Sequence, residues 1–207
     1  TYEQTEGTLE VVHCDGKLFL VTAEAAKEEA PTDKRRPGLT PVRSQRPEYL
    51  WNPPAKRIVV LDAETGRVLW TKSDAETAEL MPTTLAVSKG GSSSNRVFFQ
   101  NADEIFCMNA RTGDTLWRTE RMTSRSRPTW SAPTLVVYGD VVLSGDREVA
   151  TEKTLDKDEK RKVEWIVSAR GGQAPVGELI AFSAEDGRRL WSCESRECYN
   201  SPADVLV

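Results

Sequence analysis

The chain has 207 residues, with 28 Lys and Arg against 32 Asp and Glu, and a formal net charge of −4. That balance leaves no electrostatic footprint for nucleic acid, and no apolar run approaches the roughly 18 residues that a membrane span needs. A single histidine excludes a multi-histidine zinc site and leaves poor material for a Ser-His-Asp triad, and four scattered cysteines are too few for a disulfide framework.

In chain order, Thr8 to Val11 reads as a first strand and Lys17 to Val21 as a second, joined by the turn Cys14-Asp15-Gly16-Lys17, where His13 is expected to be solvated. An insertion over residues 23–56 follows. It carries Pro31, Pro37, Pro41, Pro47, Pro53 and Pro54 among mixed charges, and the aromatic patch Tyr49-Leu50-Trp51. A connection longer than about 12 to 15 residues is usually functional or disordered. The simple reading is a surface excursion with Tyr49 and Trp51 tucked onto the sheet. The alternative is a partner-docking segment, because exposed aromatics are favoured interface anchors. Ile58 to Leu61 is wholly apolar, as a strand buried on both faces must be. Asp62 can then bond to the backbone ahead of it, and Gly66 can supply the positive φ that closes a tight turn. The chain re-enters a strand ending in Leu69-Trp70.

The same succession returns twice. Thr84 to Val87, Arg96 to Gln100, Ile105 to Met108 and a strand ending at Trp117 form the second copy, with Asn109 and Gly113 in the turn. Thr134 to Val137, Val141 to Ser144, Leu179 to Phe182 and a strand ending at Trp191 form the third, with Ser183 and Gly187 in the turn. The third copy is longer because it holds a second insertion, residues 146–177, nearly all charged from Glu152 to Lys162 and read as a solvated loop or extended hairpin. Both insertions join strand 2 to strand 3, a connection that lies on one fixed face of a repeat array, where binding surfaces are usually built.

Antiparallel four-stranded units repeating at roughly 45 residues indicate a β-propeller and not a helical solenoid. The expected fold is therefore all-β: a partial propeller of about three four-stranded antiparallel blades plus the first strand of a fourth. Blade 1 covers residues 8–72 with its insertion at 23–56, blade 2 covers 84–119, blade 3 covers 134–193 with its insertion at 146–177, and 204–207 begins blade 4. Propellers close with about 4 to 8 blades. An open array leaves strand edges and apolar faces exposed, so these residues are expected to belong to a larger protein or to half of an assembled ring.

The pattern Ala-x-(Asp/Thr)-Gly-x-x-x-Trp after a buried strand resembles the tryptophan-docking motif of quinoprotein-type propellers, the PQQ-repeat superfamily. That superfamily includes pyrroloquinoline quinone (PQQ) dehydrogenases and the propeller lipoprotein of the bacterial outer-membrane assembly complex. The resemblance covers all three copies. It implies a blade-docking role for Ala63, Gly66 and Trp70, for Ala110, Gly113 and Trp117, and for Ala184, Gly187 and Trp191, with each indole packed on the alanine and glycine backbone of a neighbouring blade. The motif marks architecture and not a cofactor, since propellers with it exist that bind none. The resemblance also implies a bacterial protein of the periplasm or another extracytoplasmic compartment. A leader or lipobox would have to precede Thr1.

Candidate chemistry is sparse. Arg121, Arg125 and Arg127 precede Trp130 at the entry to an innermost strand. The simple reading is an inter-blade linker with solvated arginines. The alternative is a lining of the central channel that meets an anionic or planar ligand. Quinoprotein dehydrogenases stack their cofactor on a tryptophan near the axis and hold it with arginine and calcium, so the resemblance makes Arg127 and Trp130 the candidate cofactor-binding pair. No matching calcium ligands and no adjacent cysteine pair accompany them. Cys107 reads as a small hydrophobe within a strand. Cys193 and Cys198 stand close enough in sequence for a local disulfide, the alternative being two free thiols. Gly90-Gly91 and Gly171-Gly172 lack the strand-to-helix context of a phosphate cradle.

No catalytic residues, no metal site and no resident cofactor are expected. The functional expectation is a non-catalytic propeller scaffold or interaction module that meets a protein or polymer partner through loops 23–56 and 146–177, and the remaining blades of the same protein at its edges. The alternative is a fragment of a PQQ-dependent dehydrogenase, with PQQ and calcium.

Overall fold

The computed structural model describes residues 2, 4–23, 55–89, 95–123, 133–147 and 176–196. They form three four-stranded antiparallel sheets, each a meander of strands consecutive in the chain. The first holds β1 (Thr8–Cys14), β2 (Lys17–Ala23), β3 (Lys56–Asp62) and β4 (Val68–Lys72). The second holds β5 (Ala86–Val87), β6 (Arg96–Gln100), β7 (Glu104–Asn109) and β8 (Thr115–Glu120). The third holds β9 (Thr134–Tyr138), β10 (Val141–Arg147), β11 (Val176–Ser183) and β12 (Arg189–Arg196). This is the all-β partial propeller that the repeats call for, and each sheet is a blade.

Burial follows position within the blade. The third strand is the most deeply packed: Ile58, Val59, Val60 and Leu61 are all fully buried, as are Ile105, Cys107 and Met108. Residues alternate between the two faces of each strand, so two cores result. Phe19, Val21, Ile58 and Val60 of blade 1 meet Val97, Phe99, Phe106 and Met108 of blade 2. Phe98, Ile105 and Cys107 of blade 2 meet Val142, Ile180 and Phe182 of blade 3. The opposite face of blade 1 carries a third cluster, Leu20, Val59 and Leu61 with Leu18 and Val68 beside it.

The turn between strands 3 and 4 is built alike in every blade. Gly66 donates its N–H to Asp62 O at 2.8 Å, Gly113 to Asn109 O at 2.8 Å and Gly187 to Ser183 O at 2.9 Å. The three glycines stand at φ +72, +79 and +74, a region that glycine enters without steric cost. The side chain opening each turn accepts a local backbone N–H: Asp62 Oδ1 from Thr65 at 2.8 Å, Asn109 Oδ1 from Arg111 at 2.8 Å and Ser183 Oγ from Glu185 at 3.3 Å. Past the turn the register slips by one residue, between Val60 and Leu61, between Cys107 and Met108, and between Ala181 and Phe182. The unpaired residue is the leucine before each tryptophan. Such a bulge bends the strand and re-aims the next side chain, which accounts for the recurring Leu-Trp pair.

Two details depart from the strand-by-strand reading. The first strand of blade 2 is only Ala86–Val87, not Thr84 to Val87. Thr84 Oγ1 turns back to Met81 O at 2.7 Å, and the Leu85 N–H is taken by a side chain of blade 1, so neither joins the ladder. A single helical turn, α1 (Ala75–Ala78), lies between β4 and blade 2. Asp74 caps it, accepting the N–H groups of Glu76 at 3.0 Å and Thr77 at 3.2 Å, while Thr77 Oγ1 accepts the Asp74 N–H at 3.1 Å.

Candidate functional site

The joints between blades hold several hydrogen-bonded polar groups. At the joint of blades 1 and 2 the half-buried Trp70 donates Nε1–H to Ala110 O at 3.1 Å. Its ring lies on Gly113 so closely that a Cβ there would stand 2.8 Å from Trp70 Cε3. At the joint of blades 2 and 3 Trp117 donates Nε1–H to Ala184 O at 3.1 Å, and a Cβ on Gly187 would stand 2.7 Å from Trp117 Cε3. Each indole also meets a phenylalanine of its own blade, Phe19 at 6.5 Å and Phe98 at 5.8 Å between ring centroids. Trp191 differs. The sequence reading buried all three tryptophans alike, but the Trp191 side chain is 48% exposed because no further blade stands beside β12 among the described residues.

A second feature belongs to the joint of blades 2 and 3 alone. Arg121, read from the sequence as a solvated linker arginine, is only 5% exposed. Its Nε donates to Ser144 Oγ at 3.1 Å and its Nη2 to Glu178 O at 3.0 Å, with Glu178 Oε2 at 3.7 Å from Nη1. Ser144 Oγ donates onward to Gln100 Oε1 at 3.1 Å, and Gln100 Nε2 donates to Thr123 Oγ1 at 2.5 Å. Ser144, Gln100 and Thr123 are buried. Arg121 Nε and Nη2, Ser144 Oγ and Gln100 Nε2 thus each have a protein acceptor, which lowers the cost of burying polar groups. The clamp lies next to the second insertion: Glu178 faces Asp146 across β10 and β11, and Ser144 stands two residues before Asp146. Arg96 adds a further tie, with Nη1 at 2.5 Å from Ala184 O and 2.6 Å from Glu185 O.

The joint of blades 1 and 2 is fastened on its inner side by a carboxylate. Glu10 on β1 accepts the Thr83 N–H at 2.8 Å and the Leu85 N–H at 3.2 Å. Thr83 stands at φ +70, an unusual conformation for a β-branched residue, and the carboxylate holds its N–H in that place. Burial pushes the Glu10 carboxyl up to about 7, against the two N–H bonds that favour its charged form.

Arg127, Trp130 and Cys198 lie outside the described residues, as do most of both insertions. Cys193 is exposed on β12, and Cys14 and Cys107 are buried. Burial raises the Cys107 thiol to about 12, so it stays protonated and packs as an apolar group. His13 is exposed on β1, paired with Leu18 of β2. Among the described residues no group of His, Cys, Asp and Glu side chains is placed to hold a metal ion. No helix among them is long and apolar enough to cross a membrane.

The repeated blades and their indole joints define a quinoprotein-like β-propeller segment. Residues 54–206 match the family described as outer membrane protein assembly factor BamB, and the chain belongs to that PQQ-repeat family. No curated protein matches the sequence. Among solved structures, it is similar to a europium-containing methanol dehydrogenase at 14% identity and a TM-score of 0.49, covering 93% of this chain and 26% of that one. It is also similar to the quinohemoprotein alcohol dehydrogenase from Comamonas testosteroni at 15% identity and a TM-score of 0.44, covering 92% and 22%. BamB from Moraxella catarrhalis matches at 14% identity and a TM-score of 0.34, covering 88% and 47%. The chain thus spans about a quarter of the dehydrogenases and about half of that BamB.

Proposed function

We propose that these blades are part of a non-catalytic extracytoplasmic scaffold in a bacterium, one that presents a loop-built face to a protein or polymer partner. The observation that carries this reading is the placement of the two insertions. Both leave from the strand 2 to strand 3 end of their blade, at the paired residues Ala23 and Lys56 in blade 1 and at Arg147 and Val176 in blade 3. Extra mass added at equivalent ends accumulates on one face of a repeat array. The buried polar groups near it, Arg121, Gln100 and Ser144, are engaged in holding blade to blade. The long segments between the roots remain as the recognition elements, and the family's description as an assembly factor accords with that use.

The test has two parts. PQQ with calcium is titrated into the full-length protein while cofactor absorbance and thermal stability are followed, and no saturable change is expected. A photoreactive amino acid is then placed at positions 160 and 40 in the insertions and, separately, at the opposite-end turns at Gly16 and Gly139. Capture of one and the same polypeptide from the insertion positions only is the expected outcome. Saturable PQQ binding would replace the scaffold with the dehydrogenase reading and make Arg127 and Trp130 the first residues to mutate.

A further inference from the structure

The two joints each hold a buried cation at the end of the blades from which the insertions leave, and the two cations differ in what they touch. At the joint of blades 2 and 3 it is Arg121, whose Nε and Nη2 have acceptors in Ser144 Oγ and Glu178 O. At the joint of blades 1 and 2 it is Lys56. Side chains alternate along β3, so Lys56 lies on the side of Ile58 and Val60, which pack against blade 2. It also stands at the root of the first insertion, paired with Ala23. Lys56 is only 4% exposed, yet its amine makes no hydrogen bond or ion pair with a described residue.

The acidic side chains around this joint are engaged elsewhere. Lys72 Nζ holds Asp74 at 2.8 Å and Glu76 at 2.9 Å, both at the head of α1, which packs on β3. Glu104 has the place in blade 2 that Glu178 has in blade 3, but it faces Arg118 of its own blade at 3.7 Å. Glu79, just past α1, is exposed and acts on Lys56 as a charge through space, without a hydrogen bond. Burial outweighs that attraction and holds the Lys56 amine below the usual lysine range. An ammonium on a buried stem is costly until an opposite charge meets it. The amine is not sealed in, since among the described residues Ser195 Oγ is the only fully buried side-chain N or O atom without a partner. Its stem is therefore packed in the joint while its tip keeps an opening to water, the usual division of a lysine side chain.

We propose that Lys56 is a binding site for a carboxylate, supplied by the acidic side chain of a polypeptide partner that docks on the insertion face. A recessed amine is reached by a carboxylate carried on an Asp or Glu side chain and not by a flat anionic surface such as a membrane. The ion pair forms only on docking, so it removes in the complex a charge penalty that the free protein carries. Arg121 cannot serve in the same way, because Nε and Nη2 are spent on blade 3. The proposal deepens the scaffold reading, on which it rests for the face from which the partner comes, and adds a fixed point at the root of one insertion.

The test titrates an oligoglutamate peptide into the full-length protein labelled with 13C-lysine, the Lys56 Cε signal being assigned by its loss in Lys56→Gln. Saturable binding is expected, with the titration of the Lys56 amine moved to higher pH by the peptide. Lys56→Gln should weaken binding about tenfold or more. Lys89→Gln, a change at an exposed lysine, should alter it by less than about twofold. Without peptide, Lys56→Met should raise the melting temperature, because it deletes a buried charge that has no partner. A lower melting temperature would show that the amine is already paired within the protein, and overturns the proposal. So does an absence of saturable peptide binding, equal weakening by Lys56→Gln and Lys89→Gln, or binding of anionic lipid vesicles in place of the peptide. PQQ binding in the separate titration would defeat the scaffold reading and leave the Lys56 result to stand or fall on the peptide.

Discussion

The two joints between blades use the same indole and socket but fill the space beside them differently. With the repeats aligned on their turns and tryptophans, Val21 of blade 1 corresponds to Gln100 of blade 2, and Phe99 of blade 2 to Ser144 of blade 3. The first joint therefore sets Val21 and Phe99 in one apolar core, whereas the second sets Gln100 against Ser144 through a hydrogen bond of 3.1 Å. The fourth residue after each tryptophan changes to match. Asp74 caps α1 in the first joint, and Arg121, at the same place after the tryptophan, crosses into blade 3 in the second. The difference teaches that docking geometry and joint content are separable. The motif fixes how blades meet, and non-motif positions decide whether the contact is oily or a polar clamp at the foot of an insertion.

The largest expected effect strikes what the joints share. Gly113→Val places a β-branched residue at φ +79 and a Cβ 2.8 Å from Trp70 Cε3, so strain and overpacking combine to about 3 kcal/mol or more. Gly187→Val, at φ +74 with Trp117 Cε3 at 2.7 Å, should cost a similar amount. Denaturant unfolding of both variants checks this, and a large inequality between them would mean that the two sockets are not equivalent devices. Next comes a change that touches one joint only. Arg121→Ala removes the donor to Ser144 Oγ and to Glu178 O and leaves buried acceptors without it, for a loss of about 2 to 3 kcal/mol. The Glu178 carboxylate is 37% exposed, so its ion pair with Arg121 is screened and adds little to that figure. Hydrogen exchange should show blade 3 opening more readily while blade 1 is unaffected. Uniform loss of protection would contradict a clamp local to the second joint. Smaller again is Trp70→Phe, which keeps the aromatic contact but deletes the 3.1 Å bond to Ala110 O, for about 1 kcal/mol in thermal or denaturant unfolding.

What was legible in the sequence and what was not divide along the same line. The third strands, the turns and the tryptophans recur at fixed places, so the all-β blade architecture followed from local pattern. Arg121 did not, because Arg121-Met122-Thr123-Ser124 reads as a polar linker and its burial is imposed by Ser144 and Glu178, which come from the next blade. A signal existed in the paired replacement of Val21 by Gln100 and of Phe99 by Ser144 when the copies are laid over one another. Glu10 carried none, because the sequence match of Glu10 with Ala86 and Val136 is two residues out of register: Glu10 faces Val21 on β2, whereas Ala86 faces Phe98 and Val136 faces Leu143, the positions that Phe19 holds opposite Val12 in blade 1. The exposure of Trp191 follows from the same rule that buries the other two, since the socket for each indole comes from the neighbouring blade. The short helix was missed although its capping box, Asp74 with Thr77, was readable.

A last expected effect, spread over several pH units, separates the joints by pH. An arginine keeps its charge at any pH a protein survives, so the clamp at the second joint does not titrate through its cation. Glu10 at the first joint does. Its folded value of about 7 lies above the ordinary 4.5, first because burial disfavours the carboxylate. The folded protein therefore binds more protons than the unfolded chain between those two values, and stability due to this group falls as pH rises from about 4.5 to 7 and is level above that. The slope is bounded by about 1.4 kcal/mol per pH unit, the figure for a difference of one whole proton, and is steepest midway between the two values. Glu10→Gln, neutral at every pH and still able to accept the Thr83 and Leu85 N–H groups through its carbonyl oxygen, should flatten the slope without disturbing blade 2. Unfolding free energies of parent and variant measured from pH 4.5 to 8 decide it. Parallel curves would show that Glu10 is not the group that makes the first joint sensitive to protons, and the two joints would then differ in packing alone.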